Sequence, residues 1–150
     1  MKTIFLGDRE MLKNKKILLG ITGGIAAYKA VDLASKLVKE GAIVKTIMTK
    51  NACEFISPIT VKSITHQSVS TKMFDAEAQI EHISLADWAD IVIIAPATAN
   101  IIGKTANGIA DDLLSTTIMA STGPILFVPA MNVHMFENVI VQKNIANLTN

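Results

Sequence analysis

The sequence has a single cysteine, Cys53, among its 150 residues. One cysteine excludes an intrachain disulfide and any metal site built from several cysteines, and we expect no bound metal. Neither sign of charge is in excess, because the sequence has 14 basic and 13 acidic residues and a net charge of +1. This balance argues against a nucleic-acid-binding surface and against a disordered acidic tail.

Long hydrophobic runs are also absent. The longest strongly apolar run, Ile91–Ala97, is far shorter than the ~20 residues that a membrane-spanning helix needs. Residues 1–16 carry charges throughout and lack the apolar region of a secretory signal. We therefore predict a cytoplasmic globular protein that binds neither membrane nor nucleic acid.

Aromatic residues make up only 5% of the chain, although half of its residues are hydrophobic. The apolar content is therefore Ile, Val, Leu, Ala and Met, which is typical of buried parallel strands and the helices that cover them. The mean hydropathy of +0.41 is high. This surplus indicates more than one buried face, as in an oligomer, and the length fits one domain.

Predicted strands and helices alternate along the chain. After a polar leader at residues 1–15, Lys16–Ile21 has the pattern of a buried strand. A helix with one apolar face begins at Ala27 and ends at Gly41, and Ile43–Met48 is the next strand. A strand–helix–strand unit of this kind gives a parallel strand pair with a right-handed crossover.

The rest of the sequence continues this alternation less clearly. Ser57 and Pro58 predict the start of a short helix, and Ser84 predicts the N-cap of another at 84–90. Further strands are predicted at 91–95 and 125–128, loops at 96–100 and 129–135, and helices at 101–105, 111–120 and 138–148. The predicted fold class is α/β, doubly wound, with a mainly parallel sheet, and the predicted domain spans residues 16–150.

Ligands of such sheets bind beyond the carboxyl ends of the strands, where four loops are expected at 22–26, 49–52, 96–100 and 129–135. The first loop contains Gly23 and Gly24 but matches neither the dinucleotide fingerprint nor the P-loop. No carboxylate follows the second strand to hold a ribose, whereas the Thr49 hydroxyl suits a phosphate. A mononucleotide is therefore favoured over NAD, and the alternative is a tight turn that needs glycine for its backbone alone.

The other loops offer directional polar groups. Thr98 and Asn100 stand among small residues that leave room for a flat ligand, unless Asn100 merely caps the next helix. Asn132 can hydrogen-bond a carboxylate or a ring edge, unless it only forms a turn. His82 stands before the predicted N-cap, where the helix dipole favours the neutral imidazole that a general base needs; the alternative is a surface histidine.

Five segments, read together and in order, resemble the homo-oligomeric flavin-containing cysteine decarboxylases: residues 20–29, 82–87, 96–100, 106–114 and 129–135. The resemblance implies a Rossmann-like flavoprotein with FMN at the edge loops. It places the following residues beside the cofactor: Gly23, Gly24, Ile25, Thr49, Ala97, Thr98, Ala99, Asn100 and Ala130. It makes His82 the active-site histidine and Asn132 the holder of the substrate carboxylate, with Met131 and Met135 also at the substrate.

Members of that family in coenzyme A biosynthesis carry out the FMN-dependent oxidative decarboxylation of 4′-phosphopantothenoylcysteine, and they assemble as trimers or dodecamers. The chain departs from the family pattern at Thr98, Ile101 and Phe136, where Ser, Thr and Trp are usual. We also expect that a C-terminal segment carrying a cysteine is missing, as is the fused ligase domain of bacterial members. The alternatives on the same fold are a flavin prenyltransferase and a non-catalytic flavin-binding regulatory subunit.

Overall fold

The computed structural model describes residues 12–73 and 81–149. Its strands are β1 (Lys16–Ile21), β2 (Ile43–Met48), β3 (Val69–Ser70), β4 (Ile91–Ala97) and β5 (Ile125–Pro129). Its helices are α1 (Ala27–Lys39), α2 (Pro58–Thr65), α3 (Glu81–Trp88), α4 (Ala99–Ala106), α5 (Leu113–Ala120), α6 (Val133–Phe136) and α7 (Val139–Thr149). No helix within these ranges is long and apolar enough to cross a bilayer.

The five strands form one sheet in the order β3-β2-β1-β4-β5, and every pairing in it is parallel. The chain winds outward from β1 to β3, returns to the centre at β4, and then continues to β5. The doubly wound α/β fold is thus confirmed. Because the winding direction reverses between β1 and β4, the carboxyl ends of these two strands mark the switch point at which such sheets bind ligands.

The sheet lies between two helical layers. Alternate residues of β1 point to opposite sides, so that Leu19 belongs to a core cluster under α1 and α2, while Leu18 belongs to a second cluster under α3, α4, α5 and α7. Ala27, Ala30 and Ala34 form the buried stripe of α1. Their small side chains bring α1 close to the sheet, as the apolar periodicity of that segment predicted.

Helix α1 ends where the sequence indicated. Gly41 has φ of +90°, the left-handed conformation that favours glycine after a helix. The Asn14 N–H donates to the Gly41 carbonyl oxygen at 3.0 Å, and Leu12 packs against the first core cluster. Residues 12–14 of the expected polar leader therefore contact the domain, and residues 1–11 lie outside the described residues.

Several predicted boundaries were wrong. Helix α3 includes Ser84 instead of beginning after it, and the Ser84 hydroxyl donates to the Glu81 carbonyl oxygen at 3.1 Å. A serine whose hydroxyl donates to a carbonyl one turn earlier is compatible with a helix interior. A serine in the sequence therefore does not by itself distinguish a helix cap from an interior position. Strand β4 continues through Pro96 to Ala97, because after an irregularity the ladder resumes by pairing Ala97 with Pro129. The predicted 129–135 loop contains the single turn of α6.

Candidate functional site

A cavity of about 880 Å³ opens at the carboxyl edge of the sheet, over the switch point between β1 and β4. All four predicted loops contribute to its wall, together with α4 and the start of α5. Eleven of the predicted site residues line it: Gly23, Gly24, Ile25, Thr49, Thr98, Ala99, Asn100, Ala130, Met131, Asn132 and Met135. The fold therefore gathers residues more than 100 positions apart into one concave site of the size that small ligands occupy.

Hydrogen bonds between the loops hold this wall together. The buried Thr22 hydroxyl donates to the Pro96 carbonyl oxygen at 2.5 Å and accepts from the Thr98 N–H at 3.2 Å. The Ala130 N–H donates to the Ala97 carbonyl oxygen at 3.1 Å. The first, third and fourth loops are thus tied to one another, and Thr22 is a site residue that the sequence analysis missed.

The two glycines of the first loop have different roles. A Cβ at Gly23 would lie 2.5 Å from Asn51 Cβ and 2.7 Å from the Asn51 carbonyl carbon, so only glycine allows the first two loops to approach so closely. A Cβ at Gly24 would meet only Thr98 Cγ2, at 3.8 Å. Gly23 therefore fits the structural alternative of a tight packed turn, whereas Gly24 borders open space in the cavity.

The N-terminus of α1 lacks a side-chain cap. By contrast, Thr98, Asp112 and Asn132 cap α4, α5 and α6. Within the described ranges the N–H groups of Gly24 and Ile25 also have no acceptor. Free donors at the positive end of a helix dipole form a binding site for an anion such as a phosphate.

Thr49 and Lys50 add to this anion-binding end. The Thr49 hydroxyl accepts from the Ala52 N–H at 3.2 Å, which leaves its own hydrogen for a ligand. The exposed Lys50 also lines the cavity and places a positive charge there. The loops after β1 and β2 thus offer backbone N–H groups, a hydroxyl and an ammonium to a phosphate.

Two asparagine amides face the other side of the cavity. Asn132 Oδ1 accepts from the His134 N–H at 2.9 Å and so caps α6, which fixes the amide and leaves its NH₂ group without an acceptor in the described part of the chain. The alternative in which Asn100 merely caps α4 is wrong, because the cap is Thr98, whose hydroxyl accepts from the Ile101 N–H at 3.4 Å. The Asn100 side chain lies in the first turn of α4 and lines the cavity.

An ion-pair cluster forms the wall between α4 and α5. Lys104 Nζ lies 2.7 Å from Asp111 Oδ1 and 3.0 Å from Asp112 Oδ2, and Lys104 and Asp112 both line the cavity. Asp112 also caps α5 in a reciprocal capping box with Ser115. Lys104 was missed, although a lysine in the last turn of one helix near an aspartate cap of the next is a usable signal.

The charges of this cluster stabilise one another. Burial alone would lower the pKa of the Lys104 ammonium, but its hydrogen bonds to Asp111 and Asp112 outweigh burial and raise the pKa above its usual value. Burial would likewise raise the pKa of Asp112, and the hydrogen bonds from Ser115 and Lys104 lower it instead. Both groups are therefore charged at neutral pH.

Two predicted site residues do not line the cavity. Ala97 is fully buried in β4, and its carbonyl oxygen accepts from Ala130 behind the cavity wall. His82 lies half-buried in the first turn of α3 and outside the wall. The neighbouring Glu81 accepts a hydrogen bond from the Ser70 hydroxyl at the carboxyl end of β3, which puts this turn near the same edge of the sheet. Cys53 packs against the first core cluster, and burial followed by the nearby Glu54 raises the pKa of its thiol, so it is not an activated nucleophile.

The parallel sheet, the switch-point cavity and the uncapped helix that follows β1 define an α/β protein with a small-ligand cavity suited to an anionic group. The chain belongs to the Flavoprotein family, whose model matches residues 7–150. This membership supports a flavin as the class of cofactor.

Relatives with curated functions agree with that membership. The chain is 54% identical over 140 residues to the coenzyme A biosynthesis bifunctional protein CoaBC of Bacillus subtilis, covering 92% of this chain and 34% of that protein. It is 44% identical over 136 residues to CoaBC of Escherichia coli, covering 89% of this chain and 34% of that protein. The chain thus spans about a third of the length of these relatives.

Solved structures share the fold along most of the chain. MrsD from Bacillus sp. HIL-Y85/54728 has a TM-score of 0.85 at 34% identity, covering 93% of this chain and 81% of that one. The C175S mutant of a PPC decarboxylase, complexed with pantothenoylaminoethenethiol, has a TM-score of 0.82 at 30% identity and covers 91% and 78%. The FMN-dependent cysteine decarboxylase SpaF has a TM-score of 0.84 at 31% identity and covers 92% and 81%.

Proposed function

We propose that the chain catalyses the FMN-dependent oxidative decarboxylation of 4′-phosphopantothenoylcysteine in coenzyme A biosynthesis. The observation that carries this proposal is the Asn132 NH₂ group, which the α6 cap holds at the cavity without a protein acceptor. A fixed amide donor suits a substrate carboxylate. The names of the CoaBC relatives and of the PPC decarboxylase structure supply the matching substrate class.

The residues present fit FMN. The uncapped N-terminus of α1, with the Gly24 and Ile25 N–H groups, the Thr49 hydroxyl and Lys50, provides the donors that a terminal phosphate requires. The cavity volume of about 880 Å³ lies within the range of cofactor sites. The absence of a carboxylate after β2 agrees with a mononucleotide rather than a dinucleotide.

Side chains of this chain orient the substrate for the reaction. When bound, FMN supplies a two-electron oxidant for the CH₂–SH group of the substrate cysteine, and the resulting thioaldehyde can accept the electron pair released with CO₂. Asn132 holds the substrate carboxylate in place, so that the bond between the carboxylate and the α-carbon, which breaks when CO₂ leaves, is correctly oriented. Met131 and Met135 also line the cavity, and in the oligomer proposed below their apolar side chains would exclude water from the carboxylate.

We assign His82 the role of proton acceptor for the substrate, as the family resemblance implies. In the described part of the chain its ring makes no hydrogen bond, and it lies near the edge of the sheet that carries the cavity. Because His82 is outside the cavity wall of its own chain, we propose that it acts in a site completed by a second copy.

We propose a homo-oligomer, a trimer or a dodecamer, as the functional state. Exposed apolar side chains occur on both sides of the cavity. One group lies at the starts of α1 and α2, and the other lies along β5, α6 and α7. The first group is Ile25, Tyr28, Phe55 and Ile59, and the second is Leu126, Val128, Val133, Met135, Phe136, Val139 and Ile140. Because Ile25 and Met135 also line the cavity, an interface that covers both groups would enclose the ligand.

The test uses Asn132→Asp, with Asn138→Asp as its matched control. Aspartate keeps both caps, since Asn132 and Asn138 each accept from a backbone N–H at 2.9 Å, but at position 132 it replaces the donor with a negative charge. We expect Asn132→Asp to bind FMN normally and to lose CO₂ release at least a hundredfold, while Asn138→Asp retains it. FMN binding without CO₂ release by the wild type would instead favour the regulatory flavin-binding alternative.

A further inference from the structure

We propose that Lys104 and Asp112 form a paired donor and acceptor that recognises the imide edge of the flavin's pyrimidine ring. The two side chains lie 3.0 Å apart, Nζ to Oδ2, and both line the cavity. This inference rests on the proposed binding of FMN and assigns residues to the ring end of the ligand. Neither residue is among the predicted site residues, and the resemblance, whose segment 106–114 contains Asp112, assigns no role to it.

Each member of the pair retains hydrogen-bonding capacity for a ligand. The Lys104 ammonium has three donors, and Asp111 and Asp112 accept two of them. Asp112 Oδ1 accepts from the Ser115 N–H and hydroxyl, whereas Oδ2 accepts only from Lys104 among the described residues. One N–H of Lys104 and one lone-pair site of Asp112 Oδ2 are therefore available.

The charge of the cluster excludes an anionic partner. One lysine and two aspartates carry a net charge of −1, and Asp112 is itself in the wall. A phosphate or carboxylate placed against Lys104 would meet the negative charge of Asp112. The group that fits is neutral and carries an acceptor beside a donor.

A cyclic imide has this arrangement, because its carbonyl and N–H are neighbours on one edge of a rigid ring. A trans amide, such as those of a pantothenoyl chain, directs its carbonyl and N–H to opposite sides and cannot satisfy both members of the pair at once. The flavin pyrimidine ring is the cyclic imide among the proposed ligands. The pair is therefore assigned to the cofactor and not to the substrate.

The position of the pair in the fold agrees with this assignment. The anion-binding end is built from the loops after β1 and β2, on one side of the switch point. Lys104 lies in α4 and Asp112 caps α5, and these two helices cover the other face of the sheet around β4. A mononucleotide that spans the cavity therefore meets phosphate donors at one end and this neutral recognition pair at the other.

The first experiment compares FMN with N3-methyl-FMN, which lacks the imide hydrogen. Binding to the purified chain is followed by quenching of flavin fluorescence. We expect N3-methyl-FMN to bind at least about tenfold more weakly, because Asp112 loses its donor. Equal affinities overturn the pairing while leaving the proposed function intact. Failure of FMN itself to bind overturns the proposed function.

The second experiment separates hydrogen bonding from simple steric exclusion of the methyl group. Asp112→Asn keeps the α5 cap but removes the carboxylate acceptor, and Lys36→Gln breaks a comparable ion pair of 2.7 Å on the exposed face of α1. We expect Asp112→Asn to reduce the preference for FMN over N3-methyl-FMN at least about fivefold, and Lys36→Gln to leave it unchanged. An unchanged preference in Asp112→Asn overturns the proposal.

Discussion

Strands β1 and β5 are both short apolar runs in the sequence, but they differ in how far their side chains are buried. Five of the six residues of β1 are buried, whereas none of the five residues of β5 is buried. We call β1, α1, β2 and α2 the first wing of the molecule. Their buried side chains form one continuous core cluster. The second wing, comprising β5, α6 and α7, contains no buried residue in its strand or in either helix.

The difference shows that burial depends on what covers a strand and not on its composition. Helices α1 and α2 cover one face of the first wing, while Leu126 and Val128 of β5 remain 50% and 43% exposed. Parallel sheets normally have both faces covered. The uncovered face of the second wing therefore supports the proposed association of several copies.

The largest expected effect contrasts a buried leucine with an exposed one. Leu19→Ala should lower the free energy of unfolding by about 2–5 kcal/mol, because Leu19 is fully buried and its truncation leaves a cavity. Leu126→Ala should cost less than about 1 kcal/mol in the dilute single chain and should weaken self-association instead. Urea denaturation and sedimentation measure the two effects, and equal stability losses would contradict the comparison between the wings.

A second contrast concerns two loop glycines, Gly23 between β1 and α1 and Gly123 before β5. Gly23→Ala should cost about 1–3 kcal/mol, because its Cβ would lie 2.5 Å from Asn51 Cβ and the backbone of two loops would have to move. Gly123→Ala should be nearly neutral, since its nearest neighbour, the Asp90 carbonyl oxygen, would be 3.7 Å away. Thermal unfolding of both variants checks this prediction, and a Gly23→Ala variant as stable as the wild type would refute it.

Helix caps provide a third contrast. Asp112→Ala removes the cap of α5, whose helix buries Leu113, Leu114 and Ile118, and should cost about 1 kcal/mol. Asn138→Ala removes the bond to the Ile140 N–H at the start of α7, which buries no residue, and should cost only a few tenths of a kcal/mol. Matched denaturation curves compare them, and a larger loss for Asn138→Ala would reverse the comparison.

The pH dependence of the α5 cap follows from the lowered pKa of Asp112. A carboxyl group whose folded pKa lies below its unfolded value of 3.8 contributes its full stabilisation above that value. The contribution is lost as the pH falls through the lower folded pKa. The stability difference between wild type and Asp112→Ala should therefore shrink below about pH 4, and a difference that stays constant down to pH 2 would contradict the cause assigned to the shift.

The smallest effect is expected on the solvent face of the first wing. Asp32→Asn breaks the 2.7 Å ion pair with Lys36 on α1, where both side chains are about two-thirds exposed. Exposed pairs of this kind contribute about 0.3–0.5 kcal/mol. Denaturation at low and high salt should show a small loss that disappears in high salt, whereas a loss above about 1 kcal/mol would show that the outer face of α1 is covered.

Residues with a local signal were found from the sequence, and residues with distant partners were not. Gly23, Thr98 and Asn132 stand in loops whose positions follow from the strand pattern, and all three line the cavity. Thr22 was missed because its hydrogen-bond partners are 74 and 76 residues away. Strand β3 was missed because two residues, Val69 and Ser70, give no periodic signal.

The sequence by itself determined the alternation of strands and helices, the parallel sheet and the loops that line the cavity, because these depend on local periodicity and on the handedness of the crossover. Only the tertiary structure decided that Lys104 meets Asp111 and Asp112, and that Ala97 lies behind the wall instead of in it. It also decided that β5 keeps an exposed face. Such features depend on which surfaces pack together, and packing couples residues that share no local pattern.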